Sequence, residues 1–296
     1  MLPFRLKPVF KDYLWGGRKL IDLWGKDSSA PLAESWELAA HKDGDNIILD
    51  GQCKNLTLSK AVKLYPEIVS PTFKPDETFP LMVKLIDSAK SLSVQVHPDN
   101  DYAMKFENSE GKSEMWYILD HDEGAYLLLG LERDTTREEI KHAINDNTFQ
   151  NLLHKIEVHR GDIFYLPPGT VHAIGGQITL AEVQDNSNIT YRVYDFGRGR
   201  ELHVTKALDV INTSKYFPYV NDKFHFENIS VNGSYIGKKT HETFRFILCI
   251  EGDLAFSCGD VKFELHKGGN VFIPANCESD FVINGKGNFL DTLMIY

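Results

Sequence analysis

The clearest alternation of apolar and polar positions in the chain lies within residues 91–98. Apolar residues fill positions 92, 94 and 96, and Ser93, Gln95 and His97 alternate with them. This is the period of a β-strand, so Gln95 and His97 project from the same face, two residues apart. An amide oxygen and an imidazole placed in this way could bind one metal ion together. A strand whose polar face simply meets solvent explains the same pattern.

Short apolar runs bounded by glycine and proline continue along most of the chain, which predicts a mainly β protein. Further strands are expected at 13–17, where the strand enters a glycine turn, at 79–87, 110–119 and 126–130, and on both sides of the Pro-Pro-Gly turn in 161–175. Residues 33–39 fit a strand or a helix. Helical period appears near 57–69, where Pro66 should end the helix, and near 135–156, which should form two short helices.

The short connections between these runs predict two strand pairings. Residues 126–130 should close a hairpin with 110–119, and the strand that carries Lys84 should be the neighbour of the strand in 91–98. Lys84 lies inside an apolar run, where an ammonium group is costly to bury unless it meets an anion or faces a cavity. A lysine that extends from a strand edge to solvent explains this position equally well.

The C-terminal part repeats the pattern of the earlier one. Residues 214–296 contain several short apolar runs with turn signals, and Gly268 to Pro274 repeats the Gly-x5-Pro spacing of 161–167. The histidine that follows the earlier turn, His172, has Ser279 as its counterpart. We therefore expect two β-domains, 1–213 and 214–296, of which the second lacks a metal site.

Composition limits the class of protein. The chain has 296 residues, is 42% hydrophobic and 25% charged, and carries a net charge of −10, which argues against binding to nucleic acid or anionic membranes. No apolar run approaches the roughly 20 residues of a membrane span, and the N-terminus lacks the apolar segment of a signal peptide. Four cysteines show no C-x-x-C pair, so reduced thiols and a cytoplasmic location are expected.

Two further segments extend the chemistry of Gln95 and His97. Lys112 and Glu114 alternate onto one face of a strand, either as a solvated ion pair or as a cation beside a third metal ligand. His172 follows the Pro-Pro-Gly turn, which fixes where its imidazole lies. The pattern Gly-x5-Pro-x-Gly-x2-His can thus be the second half of a longer pattern. The first half is Gln-x-His followed by Glu, at Gln95, His97 and Glu114.

Together these motifs resemble the cupin superfamily, whose members hold a divalent metal inside a small jelly-roll barrel. The segments Gln95-x-His97-Pro98, Lys112-x-Glu114, the His172 strand and 184–195, with 15–17 and 79–84, are similar to type I mannose-6-phosphate isomerases of the short bacterial form, over most of 3–213. The resemblance implies two cupin barrels with a small helical insert. It implies one Zn²⁺ per chain, or another divalent metal, bound by Gln95, His97, Glu114 and His172. It also implies active-site cations at Lys84, Lys112 and Arg192.

The implied activity is zinc-dependent interconversion of mannose 6-phosphate and fructose 6-phosphate by proton transfer through an enediolate. The expected partner is this small sugar phosphate, and the expected state is a monomer or weak homo-oligomer. Trp15, Arg198 and Arg200 are candidate substrate contacts, although core packing explains Trp15 and an exposed loop explains the two arginines. The alternative function is a non-catalytic metal-binding cupin that senses a sugar phosphate, which would not need three cations near the metal. A lysine buried near a cation would have a lowered pKa and could act as the base.

Two positions depart from the family pattern. Longer members have a histidine immediately before the lysine that matches Lys112, whereas this chain has Gly111. Many members have an aspartate where this chain has Asn188, and an amide cannot act as a carboxylate base. We therefore expect no histidine-assisted ring opening from position 111 and at most an orienting role for Asn188.

Overall fold

The fold is mainly β, as the apolar pattern predicts. A computed structural model describes residues 1–221 and 223–294, and the twenty strands of these residues pair antiparallel with one another. In the first part they are β1 (Leu6–Lys7), β2 (Val9–Lys11), β3 (Glu34–Leu38), β4 (Ala40–His41), β5 (Gly44–Asp45), β6 (Ile47–Ile48), β7 (Leu81–Ser88), β8 (Val94–Val96), β9 (Glu114–His121), β10 (Tyr126–Leu131), β11 (Leu153–Glu157), β12 (Ile163–Leu166), β13 (His172–Ile174), β14 (Ile178–Asp185) and β15 (Tyr191–Tyr194). In the second part they are β16 (Phe224–Gly237), β17 (Arg245–Cys258), β18 (Val261–Leu265), β19 (Asn270–Ile273) and β20 (Phe281–Met294).

Two sheets build the first part of the chain. One has six strands in the order β12-β9-β14-β7-β3-β2, and the other has five in the order β11-β10-β13-β8-β15. Every residue of β7 and β14 is buried, because both faces of these central strands are covered, and the charged residues among them, such as Lys84 and Glu182, are therefore buried as well. The pairs β1-β6 and β4-β5 form two small additional sheets.

Both predicted strand pairings are wrong. The strand of Lys84, β7, lies between β14 and β3, whereas β8 lies in the other sheet between β13 and β15. β9 and β10 also belong to different sheets. Consecutive strands here cross from one sheet to the other, so that both sheets bury an apolar face in the space between them. For β7, β8, β9 and β10, chain proximity therefore does not give these two pairings.

Five helices lie among the described residues: α1 (Lys19–Asp22), α2 (Leu58–Leu64), α3 (Asn100–Glu107), α4 (Arg137–Asn145) and α5 (Val204–Val210). α2 confirms the helix near 57–69, and Pro66 begins a separate 3₁₀ turn after it. α4 begins where expected, because the Thr136 hydroxyl accepts the Glu139 N–H at 3.1 Å. The second helix expected up to 156 is wrong, since Phe149–Leu152 is a 3₁₀ turn and the residues after it form β11, paired with β10. The pattern did not predict α1, α3 or α5.

The strand expected at 13–17 is also wrong. Leu14 and Trp15 form a turn, and Gly16 and Gly17 make isolated bridges to Ser88 and Leu32. A Cβ at Gly16 would lie 2.6 Å from the Ala33 nitrogen, so the glycine permits a close backbone crossing there rather than ending a strand. Residues 33–39, which fitted either element, form β3.

The second part is a five-stranded sheet built on three strands of 14 residues each, β16, β17 and β20. Its order is β16-β20-β17-β18, and β19 also pairs with β17. The turn signals in 214–296 indicate several short strands, but three of the five strands are long, because Gly233 and Gly252, both with positive φ, lie within strands rather than in turns between them. The four cysteines are unpaired and buried.

The two parts of the chain share a hydrophobic core. Phe4 exchanges two backbone hydrogen bonds with Phe272, and their rings stack at 5.0 Å between centroids. Phe244 stacks on the other side, also at 5.0 Å from Phe272, and the surrounding cluster continues into β7 and β9. The division at 213/214 stays a prediction, and the N-terminal residues pack with the second part. No helix of the described residues has the length and apolar character needed to cross a bilayer.

Candidate active site

The two sheets of the first part enclose a cavity of about 330 Å³. On the five-stranded sheet, His172, Gln95 and Arg192 lie side by side on β13, β8 and β15, each paired with the next across the ladder. On the six-stranded sheet, Glu182 pairs with Lys84 on β7 and with Trp116 on β9. Strand register therefore brings two rows of chemistry-bearing side chains to one cavity.

Three buried side chains converge at the wall of this cavity, which Glu114 and His172 line and behind which His97 contacts Glu114. The Nε2 atom of His97 lies 3.2 Å from Glu114 Oε1, and that of His172 lies 3.5 Å from Glu114 Oε2. One ligand atom from each of the three lies within 4.8 Å of the others. The Gln95 amide nitrogen is 3.2 Å from His172 Nε2. The nitrogen and oxygen of an amide exchange places by a flip that leaves its shape unchanged, so Gln95 can present its oxygen to the same centre.

Backbone carbonyls orient both imidazoles. His97 Nδ1 donates to the Ile189 carbonyl at 2.7 Å, and His172 Nδ1 donates to the Thr170 carbonyl at 2.9 Å. A carbonyl oxygen only accepts, so each Nδ1 carries the proton and each Nε2 keeps its lone pair for the centre of the cluster. This is how metal-binding histidines are held in proteins.

The protonation states also suit a cation. Burial, and then the charge of Lys112, lower the pKa of His97 to about 3, and burial lowers the pKa of His172. Although burial opposes ionisation of Glu114, Lys112 and His97 hold its pKa well below the usual range. His97 Nε2 and Glu114 Oε2 are buried and have no hydrogen-bond partner, which a bound metal would supply, whereas Glu114 Oε1 is paired with the Lys112 ammonium.

Lys84 lies between two carboxylates on the opposite wall. Its Nζ is 3.1 Å from Glu182 Oε1 and 3.8 Å from Glu34 Oε2. Each carboxylate is anchored by an indole N–H, from Trp116 to Glu182 at 2.9 Å and from Trp36 to Glu34 at 2.6 Å. Burial acts to lower the pKa of Lys84, but the charges of Glu34 and Glu182 outweigh it and raise that pKa. The expectation of a lowered lysine pKa is wrong for Lys84, because its neighbours are anions.

The other predicted cations lie at different depths. Lys112 is buried, with Nζ 2.7 Å from Glu114 Oε1. Arg192 lines the cavity; its Nη1 donates to the Glu201 carbonyl at 2.8 Å, and its Nε is buried with no partner. Arg200 lines the cavity as well, whereas Arg198 does not and instead donates to the Ser91 carbonyl at 2.7 Å.

Asp195 binds both of these loop arginines. Its side chain is 4% exposed. Its Oδ1 accepts a hydrogen bond from Arg200 at 2.5 Å and forms an ion pair with Arg198 Nη2 at 2.8 Å. Trp15 is buried in the core and also lines the cavity, and its contact with substrate stays a prediction.

Comparison with known proteins identifies the family. The family model for the phosphomannose isomerase type I catalytic domain matches residues 3–129, and that for the mannose-6-phosphate isomerase cupin domain matches 213–293. A probable mannose-6-phosphate isomerase of Bacillus subtilis is 35% identical, with 97% of this chain and 98% of the relative covered. The chain belongs to the type I mannose-6-phosphate isomerase family. It is therefore an enzyme, of a family that depends on a metal.

Two further relatives agree. The mannose-6-phosphate isomerase ManA of Bacillus subtilis is 35% identical over 92% of this chain and 93% of its own. The crystal structure of a mannose 6-phosphate isomerase from the same organism is 30% identical, with a TM-score of 0.90 over 99% of each chain. The cupin fold implied by the motifs is thus shown for this member of the isomerase family.

Two acidic residues of this cavity, Glu34 and Glu182, were not predicted from the sequence. Both lie in strands whose every residue is buried and both line the cavity. The signal that singled out Lys84, a charge inside an apolar run, applies equally to Glu182 in 178–185. Glu34 was hidden because residues 33–39 fitted a helix as well as a strand.

The two departures from the isomerase pattern have structural counterparts. A Cβ at Gly111 would lie 2.4 Å from the Asp99 carbonyl carbon, because the backbone leading into α3 packs against it. A histidine cannot occupy that position without moving this backbone. Asn188 lines the cavity and donates from Nδ2 to Asp43 Oδ2 at 3.0 Å, an arrangement in which an aspartate would repel its partner.

Proposed function

We propose that this enzyme interconverts mannose 6-phosphate and fructose 6-phosphate with one bound divalent metal, zinc being the preferred ion. The observation that carries the proposal is the convergence of two Nε2 lone pairs on the buried carboxylate of Glu114, beside a cavity that cations also line. A protein that only senses a sugar phosphate needs cations that bind the phosphate, but it does not need several cations beside the metal ligands. The family membership adds independent support.

Gln95, His97, Glu114 and His172 would hold the metal. Two imidazoles, one carboxylate and one amide oxygen suit zinc, and such a donor set also accepts manganese, iron or cobalt. When bound, the ion would polarise the oxygens on C1 and C2 of the sugar. Lys112, 2.7 Å from Glu114, keeps that carboxylate ionised and ready to bind.

The isomerisation removes the proton on C2 of mannose 6-phosphate and adds a proton to C1, while the hydroxyl proton leaves O2 and O1 gains one. We assign the carbon-bound proton to Glu182. Burial, and then the charge of Glu114, raise the pKa of this carboxyl, which brings it closer to the pKa of an efficient general base. Trp116 holds one Glu182 oxygen, and Lys84, protonated beside the other, can donate to a sugar oxygen.

Arg192 would stabilise the enediolate. Its Nε is buried without a hydrogen-bond partner and its side chain lines the cavity. A guanidinium keeps its proton near neutral pH and donates strongly to an oxyanion. A preorganised donor aimed at developing negative charge is commonly the largest single contribution to such catalysis.

The phosphate would lie toward Arg200. Asp195 neutralises one of the three charges of Arg192, Arg198 and Arg200, which leaves an excess of positive charge at this end of the cavity. Arg200 lines the cavity and can meet a phosphate oxygen, whereas Arg198 would act by holding Asp195. Trp15, also on the cavity wall, would pack against the sugar.

A coupled assay of the purified, zinc-loaded protein with fructose 6-phosphate tests the proposal. We expect turnover that His172→Ala abolishes and that His159→Ala, at an exposed histidine outside the cavity, leaves unchanged. Absence of turnover by the zinc-loaded wild type would refute the proposed function.

A further inference from the structure

The segment 201–203 binds the backbone of Arg192. The Arg192 N–H donates to His203 Nδ1 at 3.1 Å, and the His203 N–H donates to the Arg192 carbonyl at 2.8 Å. β15 ends the five-stranded sheet, with β8 on its other side, so this pair of bonds occupies the free edge of the strand. The imidazole replaces the carbonyl acceptor that a neighbouring strand would otherwise offer.

The same segment binds the guanidinium. Arg192 Nη1 donates to the Glu201 carbonyl at 2.8 Å. Backbone and side chain of Arg192, a residue that lines the cavity, are therefore held by residues two positions apart. Its Nε is buried and makes no hydrogen bond. If the hydrogen bonds to His203 or the one to Glu201 were lost, the Arg192 guanidinium would gain the rotational freedom of a long, flexible side chain.

The strand itself gives Arg192 little support beyond Gln95. The register between β15 and β8 shifts between Arg192 and Tyr194, so the ladder is irregular directly after the arginine. The segment 201–203, in contrast, is firmly attached to the rest of the protein. His203 immediately precedes α5, where Ala207 is buried in the core and Lys206 is paired with Glu107 of α3 at 2.6 Å.

From these contacts we propose that His203 is a positioning residue, which acts through Arg192 by accepting its backbone N–H and fixing the approach of its guanidinium to the substrate. The expected changes in kcat rest on the proposed function, whereas the hydrogen bonds between His203 and Arg192 do not depend on it. His203 is half-buried and does not line the cavity, so it touches neither substrate nor metal. The role requires an acceptor at the position of Nδ1, which an asparagine oxygen reproduces and a leucine does not.

Steady-state kinetics of zinc-loaded H203L and H203N test the proposal. We expect H203L to lower kcat roughly ten- to a hundredfold, with a smaller change in KM, and H203N to keep more than about half of kcat because its oxygen accepts the same N–H. In an R192A background, H203L should change kcat by less than about twofold, because coupled residues are not additive. Equal losses in H203L and H203N, or the full H203L loss in the R192A background, would overturn the inference.

Crystal structures of the wild type and both variants give a measure that does not depend on turnover. The Arg192 guanidinium should be displaced in H203L and retained in H203N. An unmoved guanidinium in H203L would overturn the positioning role even if the wild type proved inactive. An inactive wild type with a displaced guanidinium would refute the proposed function alone.

Discussion

Lys84 Nζ lies 3.1 Å from Glu182 Oε1, and the two side chains are only 3% and 5% exposed. Glu34 is a second anion at 3.8 Å from the same Nζ, and indole N–H groups hold both carboxylates. The buried charges in this wall of the cavity thus depend on one ammonium group. Removing one member of such a set leaves a charge without compensation, which costs far more than the intact pair contributes.

We therefore predict that Lys84→Met lowers the free energy of unfolding by about 3–5 kcal/mol as well as impairing turnover. Urea unfolding at neutral pH measures the change. The matched control is Lys63→Met, at an exposed lysine of α2, which should stay within about 0.5 kcal/mol of the wild type. A Lys84→Met protein as stable as the control would show that the carboxylates do not depend on this ammonium.

Arg192→Ala should damage chemistry without emptying the metal site. The Arg192 side chain lines the cavity and donates to the Glu201 carbonyl rather than to a candidate metal ligand. Removing one donor to an oxyanion typically costs roughly 10²–10³ in kcat. Kinetics together with metal analysis check this, with Arg160→Ala, an exposed arginine paired with Glu251, as the control. Retention of more than about a tenth of kcat by a folded, metal-loaded variant would argue against the assigned role.

Isomerisation in deuterated water should place deuterium on carbon. A carboxyl such as Glu182 exchanges its proton with solvent whenever the cavity opens, so label should appear at C1 of fructose 6-phosphate or C2 of mannose 6-phosphate. NMR of the product sugars measures it. Complete retention of the original hydrogen over many turnovers would favour a hydride shift or a fully shielded base, and would count against proton transfer through Glu182 as assigned here.

Asp291 should make the second part of the chain sensitive to pH. It is 2% exposed, its Oδ1 lies 3.3 Å from Arg245 Nε, and burial raises its pKa to about 6 from 3.8. Because the folded protein holds this proton more tightly than the unfolded chain, the stability it contributes is present below about pH 4 and is lost as the pH rises through about 6.

Asp291→Asn removes this titration and keeps an acceptor for Arg245. Its stability relative to the wild type should therefore increase between about pH 4 and pH 7, by on the order of 2–3 kcal/mol. Urea unfolding across this range measures the difference, and the exposed Asp253→Asn serves as the control. A difference between Asp291→Asn and wild type that does not change with pH would contradict the assignment.

Local patterns account for what the sequence could predict. Gln95 and His97 are two residues apart on one strand, and a Pro-Pro-Gly turn precedes His172, so their placement depends on short-range geometry. The helix at α4 likewise follows from its capping residue and period. The resemblance to a family then related these segments to one another, which their spacing alone did not.

The order of the strands in each sheet and the charges around each buried side chain could not be predicted from local sequence patterns. Lys84 of β7 pairs with Trp36 of β3 and with Glu182 of β14, which are 48 and 98 residues away in sequence, and no local signal encodes those partners. Without them, the two anions around Lys84 were unknown, and the direction of its pKa shift was inferred wrongly. The long strands β16, β17 and β20 were missed for a related reason, since glycines that normally mark turns lie inside them.

The expected absence of metal from residues 214–296 and the single site in the first part are tested together by one measurement. Zinc is added in steps to the chelated enzyme, and the rate of fructose 6-phosphate isomerisation is followed against the metal bound per chain. We expect no activity without metal and a linear rise in rate that ends at one equivalent of zinc per chain. This is the stoichiometry of a single site formed by Gln95, His97, Glu114 and His172. Full activity without metal, or a rise that continues to two equivalents, would contradict it.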